Sequence, residues 1–188
     1  WGIKAELCHK NDIKRNSILR NGYGIYLFES NYHNLSLNNV SFNSKHGIYL
    51  DNCHNNTVFK NEISENSFNG LYLFFSDGNT ITNNTGKNNG MYGIFLSYSD
   101  NNIVRYNSVS GDDGCIEEEE CEGNVIEDNT CEKGGGSGWD LGEDFSWDLF
   151  FNILTISIIV AGITAAVAGI IYLLRKKEVF KKEPVKMP

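Results

Sequence analysis

The chain has 188 residues and a formal net charge of −8, from 16 basic and 24 acidic side chains. Its length allows one domain or two small ones. The acidic balance argues against a nucleic-acid binder, which needs a basic surface for phosphates. With 19 glycines, 2 prolines and 12% aromatic residues, the composition also argues against a collagen-like or a wholly disordered chain.

An internal repeat occupies the first 133 residues. Four segments share the pattern Gly-(Ile/Leu)-(Tyr/Phe)-Leu, and their glycines are 23 residues apart, at Gly24, Gly47, Gly70 and Gly93. A weaker copy begins 22 residues earlier at Gly2, and a degenerate one follows at Ile116. A fixed period of this length is the signature of a repeat protein, in which each unit stacks on its neighbours.

Asparagines recur with the same period in three columns. The first column reads Asn11, Asn34, Asn56, Asn79, Asn102, Asn124. The second reads Asn16, Asn39, Asn61, Asn84, Asn107, Asn129, and the third, which is looser, reads Asn21, Ser44, Asn66, Asn89, Asp112. Asparagine and glycine favour turns over helices, which argues against the leucine-rich repeat. Three short strands and three turns per unit predict an all-β fold, a parallel β-helix of about six coils with asparagines hydrogen-bonded from coil to coil.

Strand alternation gives each coil an inner and an outer face. Ile25 and Leu27 are predicted to point into the coil and Tyr26 to point outward. The same rule places six aromatic rings on one outer face, at Tyr26, Phe28, Tyr49, Tyr72, Phe74 and Phe95. Such a face either stabilises the sheet through contacts between rings or forms a platform for sugar rings or another protein. We predict it as the ligand-binding surface.

A second outward column lies two residues before the first asparagine column. It contains His9, His54, Asp77, Asp100 and Glu122, with Tyr32 and His33 at a slipped register in the second coil. Asp77 and Asp100 would stand about 5 Å apart, as the carboxylates of retaining glycosidases do, and are the candidate catalytic residues. Asp is also common in turns for structural reasons, and no cluster of Arg or Lys flanks the pair. Enzyme activity therefore stays open, and a role without catalysis is favoured.

An acidic run at the last coil is the candidate metal site. Its members are Asp112, Asp113, Glu117, Glu118, Glu119 and Glu120. Carboxylate oxygens suit calcium, but the spacing of an EF-hand loop is absent. A solvated loop that closes the end of the rod is the favoured alternative, and no other cofactor is predicted.

The cysteines and histidines are interpreted through the repeat. Cys8, Cys53 and Cys121 share a column with serines, and Cys131 lies in an apolar column, as expected of small buried side chains. A bridge between Cys115 and Cys121 in an oxidising compartment is left open by the odd count of five. The four histidines belong to no His-x-His or Met-rich motif and are interpreted as surface groups, at His9, His33, His46 and His54.

Three further segments follow the repeat. Residues 134–148 begin with Gly-Gly-Gly-Ser-Gly and continue as an acidic stem, which predicts a flexible linker. Residues 149–174 carry no charge and are long enough to cross a bilayer as one helix. Residues 175–188 hold six basic and two acidic side chains, a net charge of +4, which marks the cytoplasmic side. We therefore predict a single-pass protein of the cell membrane, with an extracytoplasmic β-helix domain (residues 1–133) and a cytoplasmic C-terminus. The first residue, Trp1 in place of Met, indicates a processed chain or a fragment.

A family resemblance is carried by the motif Asn-x-Ile-x-x-Asn followed by Gly-Ile-x-Leu-x-x-Ser-x-Asn-Asn, best seen in residues 92–107, YGIFLSYSDNNIVRYN. It resembles the right-handed parallel β-helix repeat of NosD-like proteins and carbohydrate-associated β-helix domains, over residues 2 to about 132. The resemblance implies export. It also implies a relation to copper delivery or to polysaccharide lyases and hydrolases, although the catalytic motifs of pectate lyases and polygalacturonases are not evident.

These observations together predict a membrane-anchored extracytoplasmic β-helix protein. We expect it to bind a polysaccharide or a cell-surface protein through its aromatic face, and to bind no nucleic acid. The alternatives are a polysaccharide lyase or glycosidase, a NosD-like copper accessory protein, and a structural spacer. The ligand class rests on likeness of fold, which by itself does not establish function.

Overall fold

The computed structural model describes residues 1–132, which form eighteen short strands, three in each of six coils. Strands in equivalent positions of successive coils pair in parallel and form three six-stranded sheets, called A, B and C here. Sheet A contains β1 (Ile3–Glu6), β4 (Ile25–Phe28), β7 (Ile48–Asp51), β10 (Leu71–Phe74), β13 (Tyr92–Ser97) and β16 (Gly114–Glu119). Sheet B contains β2 (Asp12–Lys14), β5 (Asn34–Ser36), β8 (Thr57–Phe59), β11 (Thr80–Thr82), β14 (Ile103–Arg105) and β17 (Val125–Glu127). Sheet C contains β3 (Ser17–Leu19), β6 (Asn39–Ser41), β9 (Glu62–Ser64), β12 (Thr85–Lys87), β15 (Ser108–Ser110) and β18 (Thr130–Glu132). The predicted all-β parallel β-helix of about six coils is confirmed.

The core is a column of apolar side chains enclosed by the three sheets, with one layer for each coil. In the second coil, Ile25 and Leu27 of sheet A are fully buried, while Tyr26 between them is half-buried on the outer face. Leu35 of sheet B and Val40 of sheet C complete that layer. Each fully buried aliphatic side chain contributes roughly 1.5–3 kcal/mol relative to an exposed one, so the stacked layers are the main source of stability.

The corners of the coil share one local conformation, formed by two consecutive residues. The first has a positive φ, as Lys60 does at 52°, and twenty residues other than glycine adopt this conformation. A left-handed backbone costs a residue with a Cβ about 1–2 kcal/mol. The backbone N–H of Lys60 donates to the Thr82 carbonyl of the next coil at 3.2 Å. The residue that follows, Asn61, turns inward and is buried.

The buried asparagine then bonds to the coils on both sides. The Asn61 Nδ2 group donates to the Leu35 carbonyl at 2.8 Å and to Asn84 Oδ1 at 3.0 Å. Asn61 Oδ1 accepts from the backbone N–H and the Nδ2 group of Asn38, at 3.0 and 2.9 Å. Every hydrogen-bonding group of this buried amide is therefore paired. Such pairing is required, because an unpaired buried polar group costs about 1–3 kcal/mol.

The asparagine columns differ from the prediction in the second coil. Their members there are His33, Asn38 and Asn43, and not Asn34, Asn39 and Ser44. The cause is that these columns advance by 22 residues from the first coil to the second and by 23 at the next step. Two adjacent asparagines, Asn38 and Asn39, could each have been the inward residue of the column. Asn38 is the one that turns inward, because it follows Leu37, which has a positive φ. Asn34 and Asn39 instead begin strands of sheets B and C, and Asn39 is exposed.

The cysteine and serine column forms a fourth ladder at the corner between sheets A and B. The Cys53 backbone N–H donates to Ser76 Oγ at 2.9 Å, and the Ser76 N–H donates to Ser99 Oγ at 3.0 Å. The Ser99 N–H donates in turn to Cys121 Sγ at 3.3 Å. The predicted column is confirmed, but the predicted burial holds only for Cys53, because Cys8 and Cys121 are half-buried and Cys131 is exposed. Burial raises the pKa of the Cys53 thiol to about 11, so this cysteine is a packing residue and not a reactive one.

A disulfide joins Cys115 to Cys131 in the last coil, with their Cα atoms 5.8 Å apart. In the preceding coil, a Cβ at Gly93 would overlap Val109 Cγ1, so the glycine makes room for the valine. Cys131 pairs in register with Val109, and Cys115 occupies the position of Gly93 one coil later in sheet A. The last coil thus replaces a van der Waals contact by a covalent bond, and the alternative bridge between Cys115 and Cys121 is wrong.

The predicted linker (134–148), membrane span (149–174) and basic tail (175–188) lie outside the described residues. Within residues 1–132, no helix is long and apolar enough to cross a membrane.

Candidate functional site

Four aromatic rings stack along the outer face of sheet A. Tyr26, Tyr49, Tyr72 and Phe95 pair in register on four successive coils. Their ring centroids are 5.2, 5.0 and 5.3 Å apart, with interplanar angles of 28°, 7° and 13°. We call these four residues the aromatic ladder. The sequence prediction that they form one outward column is confirmed.

Three further rings pack beside the ladder. Tyr23 stacks on Tyr26 and Tyr49, with centroids 5.6 and 5.8 Å apart, and Tyr92 stacks on Phe95 at 5.1 Å. His46 lies 5.0 Å from the Tyr72 ring, and its Nδ1 accepts the Asn69 backbone N–H at 3.2 Å. Burial lowers the pKa of His46 to about 4, so the imidazole is neutral at physiological pH. Its interpretation as a solvated group is therefore wrong.

His33 is also buried, contrary to the sequence prediction. Its Nδ1 accepts the Asn11 backbone N–H at 3.2 Å, and its Nε2 lies 2.8 Å from the Cys8 carbonyl oxygen. The histidine therefore takes the place of an asparagine in a buried ladder. Sequence reasoning missed this, because the inward turn of His33 follows from the positive φ of Tyr32, which residue type does not reveal.

The aromatic ladder offers ring edges and hydroxyl groups to solvent, because its ring faces are largely covered by stacked neighbours. The Tyr26 hydroxyl donates to Asp51 Oδ2 at 3.0 Å. Burial raises the pKa of Tyr49 and of Tyr26 well above the usual range of tyrosine, so both phenols stay protonated. Stacked aromatic pairs contribute about 0.5–1.5 kcal/mol each beyond the area that they bury. The ladder therefore stabilises the sheet as well as presenting a surface.

A second line of rings begins at Phe74, which lies on the same face as Phe28 with Asp51 between them. Phe74 packs edge-on against Phe75, with centroids 4.4 Å apart. Phe75 stacks on Tyr98 at 5.1 Å and 20°. Sequence reasoning missed Phe75 and Tyr98, because they are corner residues with φ of 47° and 48°, to which strand alternation does not apply.

The outward column of His and Asp residues is another ladder. Asp77 Oδ1 accepts the Asp100 backbone N–H at 2.8 Å, and Asp100 Oδ1 accepts the Glu122 N–H at 2.7 Å. In the second coil this position is held by Asn31, whose Oδ1 accepts the His54 N–H at 2.6 Å. The predicted slipped register at Tyr32 and His33 is therefore wrong by one residue.

Asp77 and Asp100 lie on adjacent coils, as predicted. Each carboxylate has one oxygen bound to a backbone N–H, and the second oxygen of Asp77 is 3.6 Å from His54 Nδ1. A glycosidase needs one carboxyl group that donates a proton and one that stays ionised. Asp77 and Asp100 hold equivalent positions in one structural ladder, so their proximity follows from the coil repeat and is not by itself a sign of catalysis.

The six acidic residues of the last coil do not point to one place. Asp112 is buried in the third asparagine column, where it accepts the Asn89 N–H, and Asp113 is exposed. Glu117 and Glu119 extend the outer columns of sheet A on β16, which is a strand and not the predicted loop. Across residues 1–132, no three His, Cys, Asp or Glu side chains are grouped so that they could hold a metal ion. Calcium binding by this run stays a prediction.

A six-coil parallel β-helix with coil-to-coil polar ladders and one aromatic outer face defines the class of this protein as a β-helix repeat protein. The chain belongs to the NosD family: the family model described as periplasmic copper-binding protein (NosD) matches residues 2–154. No curated protein matches the chain as a relative. The family description is periplasmic, in agreement with the extracytoplasmic location predicted for the β-helix domain.

Proposed function

We propose that the chain is a membrane-anchored extracytoplasmic NosD-family protein that binds a polysaccharide through the aromatic ladder and its flanking rings. The observation that carries this proposal is the unbroken stack of half-exposed rings over four coils. Aromatic side chains combine apolar surface with, in tyrosine, a hydroxyl group at the edge. A sugar chain offers the complementary combination of C–H groups and hydroxyls.

The rigidity of the ladder supports binding of a long, repetitive ligand. Tyr49 and Tyr72 each stack on a ladder ring on both sides, and the Tyr26 hydroxyl is fixed by Asp51. A preorganised surface loses little side-chain entropy on binding, which favours affinity. The ring centroids recur at 5.0 to 5.3 Å, so a similar contact is available on each coil that a linear polymer crosses.

Membrane anchoring is proposed through residues 149–174. That segment has no charged side chain, and Arg175, Lys176 and Lys177 follow it at once. A basic flank on one side favours cytoplasmic placement of that end. The β-helix would then stand outside the membrane on the linker of residues 134–148.

Copper binding, which the family description names, does not fit the described residues. Copper sites use imidazole, thiolate or thioether ligands in a converging set. Both ring nitrogens of His33 are held by the backbone, His46 is packed among tyrosines, and residues 1–132 contain no grouped metal ligands. We therefore derive no copper chemistry from this part of the chain.

The proposal is tested by glycan-array binding of the purified full-length chain in detergent, compared with a Tyr49→Ala/Tyr72→Ala variant. We expect the wild type to retain one class of glycan and the variant to bind it at least about tenfold more weakly, because two central rings are lost. The control is Tyr106→Asn, which removes a tyrosine ring from a corner next to sheet B, away from the aromatic ladder, where Asn83 holds the same position one coil earlier.

A Tyr49→Phe/Tyr72→Phe variant separates binding from folding, because it keeps the stack and removes only the hydroxyls. Melting temperatures of all variants are measured in parallel. Retention of the glycan by the alanine variant at wild-type strength would reject the aromatic face as the binding surface. Failure of the wild type to retain any glycan, with a surface protein captured instead, would support the alternative of a protein partner.

A further inference from the structure

A groove runs along the corner between sheets A and B on coils three to six, with a volume of about 400 Å³. We call it the corner groove. One of its walls is the column of positive-φ corner residues, Asn52, Phe75, Tyr98 and Glu120. The other wall is the outward polar ladder, with His54, Asp77 and Asp100. Its two walls are therefore two columns that stand two residues apart in the sequence and run parallel to the rod axis.

The first wall is aromatic in the middle of the groove. Phe75 and Tyr98 are 48% and 47% exposed although they stack on each other. Phe74 contacts Phe75 edge-on and lies 6.0 Å from the Tyr72 ring. The groove is thus continuous with the aromatic ladder. Large rings left half in water at the lip of a concave site are the usual apolar contacts of a ligand.

The opposite wall is acidic, and its carboxylates are held in place. The backbone N–H groups of Asp100 and Glu122 fix one oxygen each of Asp77 and Asp100. The lining contains no Lys or Arg. Within residues 1–132, the ion pairs leave Asp100 and Glu120 without a basic partner. The groove therefore favours a positively charged ligand and disfavours a uronate or another anionic polymer.

The two walls change their chemistry on the same coils. The corner column reads Leu7, Glu29 and Asn52 on the first three coils and becomes aromatic on the fourth and fifth, at Phe75 and Tyr98. The polar ladder reads His9, Asn31 and His54 before it becomes acidic on those same coils, at Asp77 and Asp100. Neither change is needed to build a coil, because the earlier coils form without it. Their coincidence indicates a site for one ligand.

The carboxylates are spread along the axis at the coil spacing and do not converge on a point, so a bare metal ion is not the ligand that fits. An ammonium group on a carbon ring fits both walls: its charge pairs with a carboxylate, and its C–H surface and charge lie against an aromatic ring. We propose that the corner groove binds the protonated amino groups of an amino-sugar chain. This inference rests on the proposed polysaccharide binding and names the class of polymer.

The test uses the full-length chain in detergent and two probes, a hexamer of β-1,4-linked glucosamine and its fully N-acetylated counterpart, measured by calorimetry. We expect the glucosamine hexamer to bind at least about tenfold more tightly than the neutral one, and its affinity to fall with added salt, as it does for exposed charge pairs. In Asp77→Asn/Asp100→Asn we expect this preference to disappear. Asn keeps the ladder acceptor, as Asn31 shows on the second coil, so folding is preserved.

A second variant, Phe75→Asn/Tyr98→Asn, removes the aromatic wall and copies Asn52, which has φ of 54° in the same column. We expect it to weaken binding of the glucosamine hexamer about tenfold.

The control for Asp77→Asn/Asp100→Asn is Asp12→Asn/Asp128→Asn, which removes two exposed carboxylates away from the groove. We expect it to leave the preference for glucosamine unchanged. Equal loss in this control would overturn the inference, because net charge alone would then explain the binding.

The remaining outcomes separate this inference from the proposed function. If both hexamers bind equally and only the Tyr49→Ala/Tyr72→Ala variant weakens them, the polysaccharide surface stands and the amino-sugar assignment is wrong. If neither hexamer binds while hexalysine binds and is lost in Asp77→Asn/Asp100→Asn, the groove takes a basic peptide and the sugar assignment is again overturned. Absence of binding by all three probes rejects the groove as a site for ammonium groups.

Discussion

The inner and the outer sides of the same coils differ in how much they vary along the rod. Inside, Asn61, Asn84 and Asn107 make the same hydrogen bonds on three successive coils. Outside, the equivalent column of sheet A changes from lysine to tyrosine to phenylalanine to glutamate, at Lys4, Tyr26, Tyr49, Tyr72, Phe95 and Glu117. Stacking requires the inner constancy, because each buried amide must be paired by the next. The outer positions are free of that requirement, so their side chains can change from coil to coil without disturbing the stack.

The largest expected effect separates two adjacent asparagines, one inside and one outside. Asn38→Ala should lower the free energy of unfolding by about 2–3 kcal/mol, because the Ile13 carbonyl loses its side-chain donor, Asn61 Oδ1 loses one of its two donors, and the Asn16 N–H loses its acceptor. Asn39→Ala, at an exposed position, should change it by less than about 0.5 kcal/mol. The measurement is urea unfolding of the full chain followed by circular dichroism. Equal losses in the two variants would contradict the register described here.

An intermediate effect is expected where an acid stands inside. Asp112 is fully buried in a column of asparagines, and its Oδ2 has no hydrogen-bond partner among the described residues. In that column Asn89 donates from Nδ2 to the Ile63 carbonyl, a bond that a carboxylate cannot make. Burial raises the pKa of Asp112 to about 6, against 3.8 for a free side chain.

Asp112→Asn should therefore stabilise the protein by about 1–2 kcal/mol at pH 7.5. Below pH 3.8 the carboxyl group is protonated in both the folded and the unfolded chain, and the fold carries no charge penalty. As the pH rises through about 6, the group must ionise inside the fold, and its favourable contribution to stability is lost. The gain from the variant should thus shrink between pH 7.5 and pH 4. Melting temperatures across this range test it, with the exposed neighbour as control: Asp113→Asn removes the same charge, and an equal gain there would point to general charge repulsion.

The smallest effect concerns a missing side chain inside the fourth coil. Gly86 holds the sheet C position that Ile63 and Val109 occupy on the adjacent coils. A Cβ there would meet Val109 Cγ2 at 3.6 Å and the Gly93 Cα at 3.8 Å, which are ordinary contacts. Gly86→Ala should raise stability by about 0.5–1 kcal/mol, mainly by restricting the unfolded chain. Gly93→Ala is the contrasting variant and should lower the melting temperature, because its Cβ would overlap Val109.

The sequence was sufficient to predict the fold, because the glycine period reports the coil length directly. The register in the second coil was not predictable from residue type, since Asn38 and Asn39 are chemically identical. What distinguishes them is that Leu37 adopts a positive φ, so the next side chain turns inward. The disulfide partner of Cys115 was missed for a related reason. Cys131 lies on a different sheet, at a distance set by how the coil closes.

The candidate surface was predictable only where strand alternation holds. The aromatic ladder lies within strands, and its four members were placed correctly. Phe75 and Tyr98 lie at corners, where period-two alternation ends, and their exposure follows from backbone conformation. His46 was taken for a surface group, because nothing in its local sequence indicates that Tyr49 and Tyr72 close over it.

The bridge between Cys115 and Cys131 has a mechanical consequence. In a stack of coils held by hydrogen bonds, tension applied to one chain end peels the terminal coil first, one bond at a time. Here a pull transmitted from residue 133 toward the rod reaches a covalent bond after two residues. The bridge closes residues 115–131 into a loop that cannot unwind from its end. A load must therefore separate the whole coil from its neighbour at once. In a reducing environment that protection would be lost, and a load would again peel the last coil bond by bond.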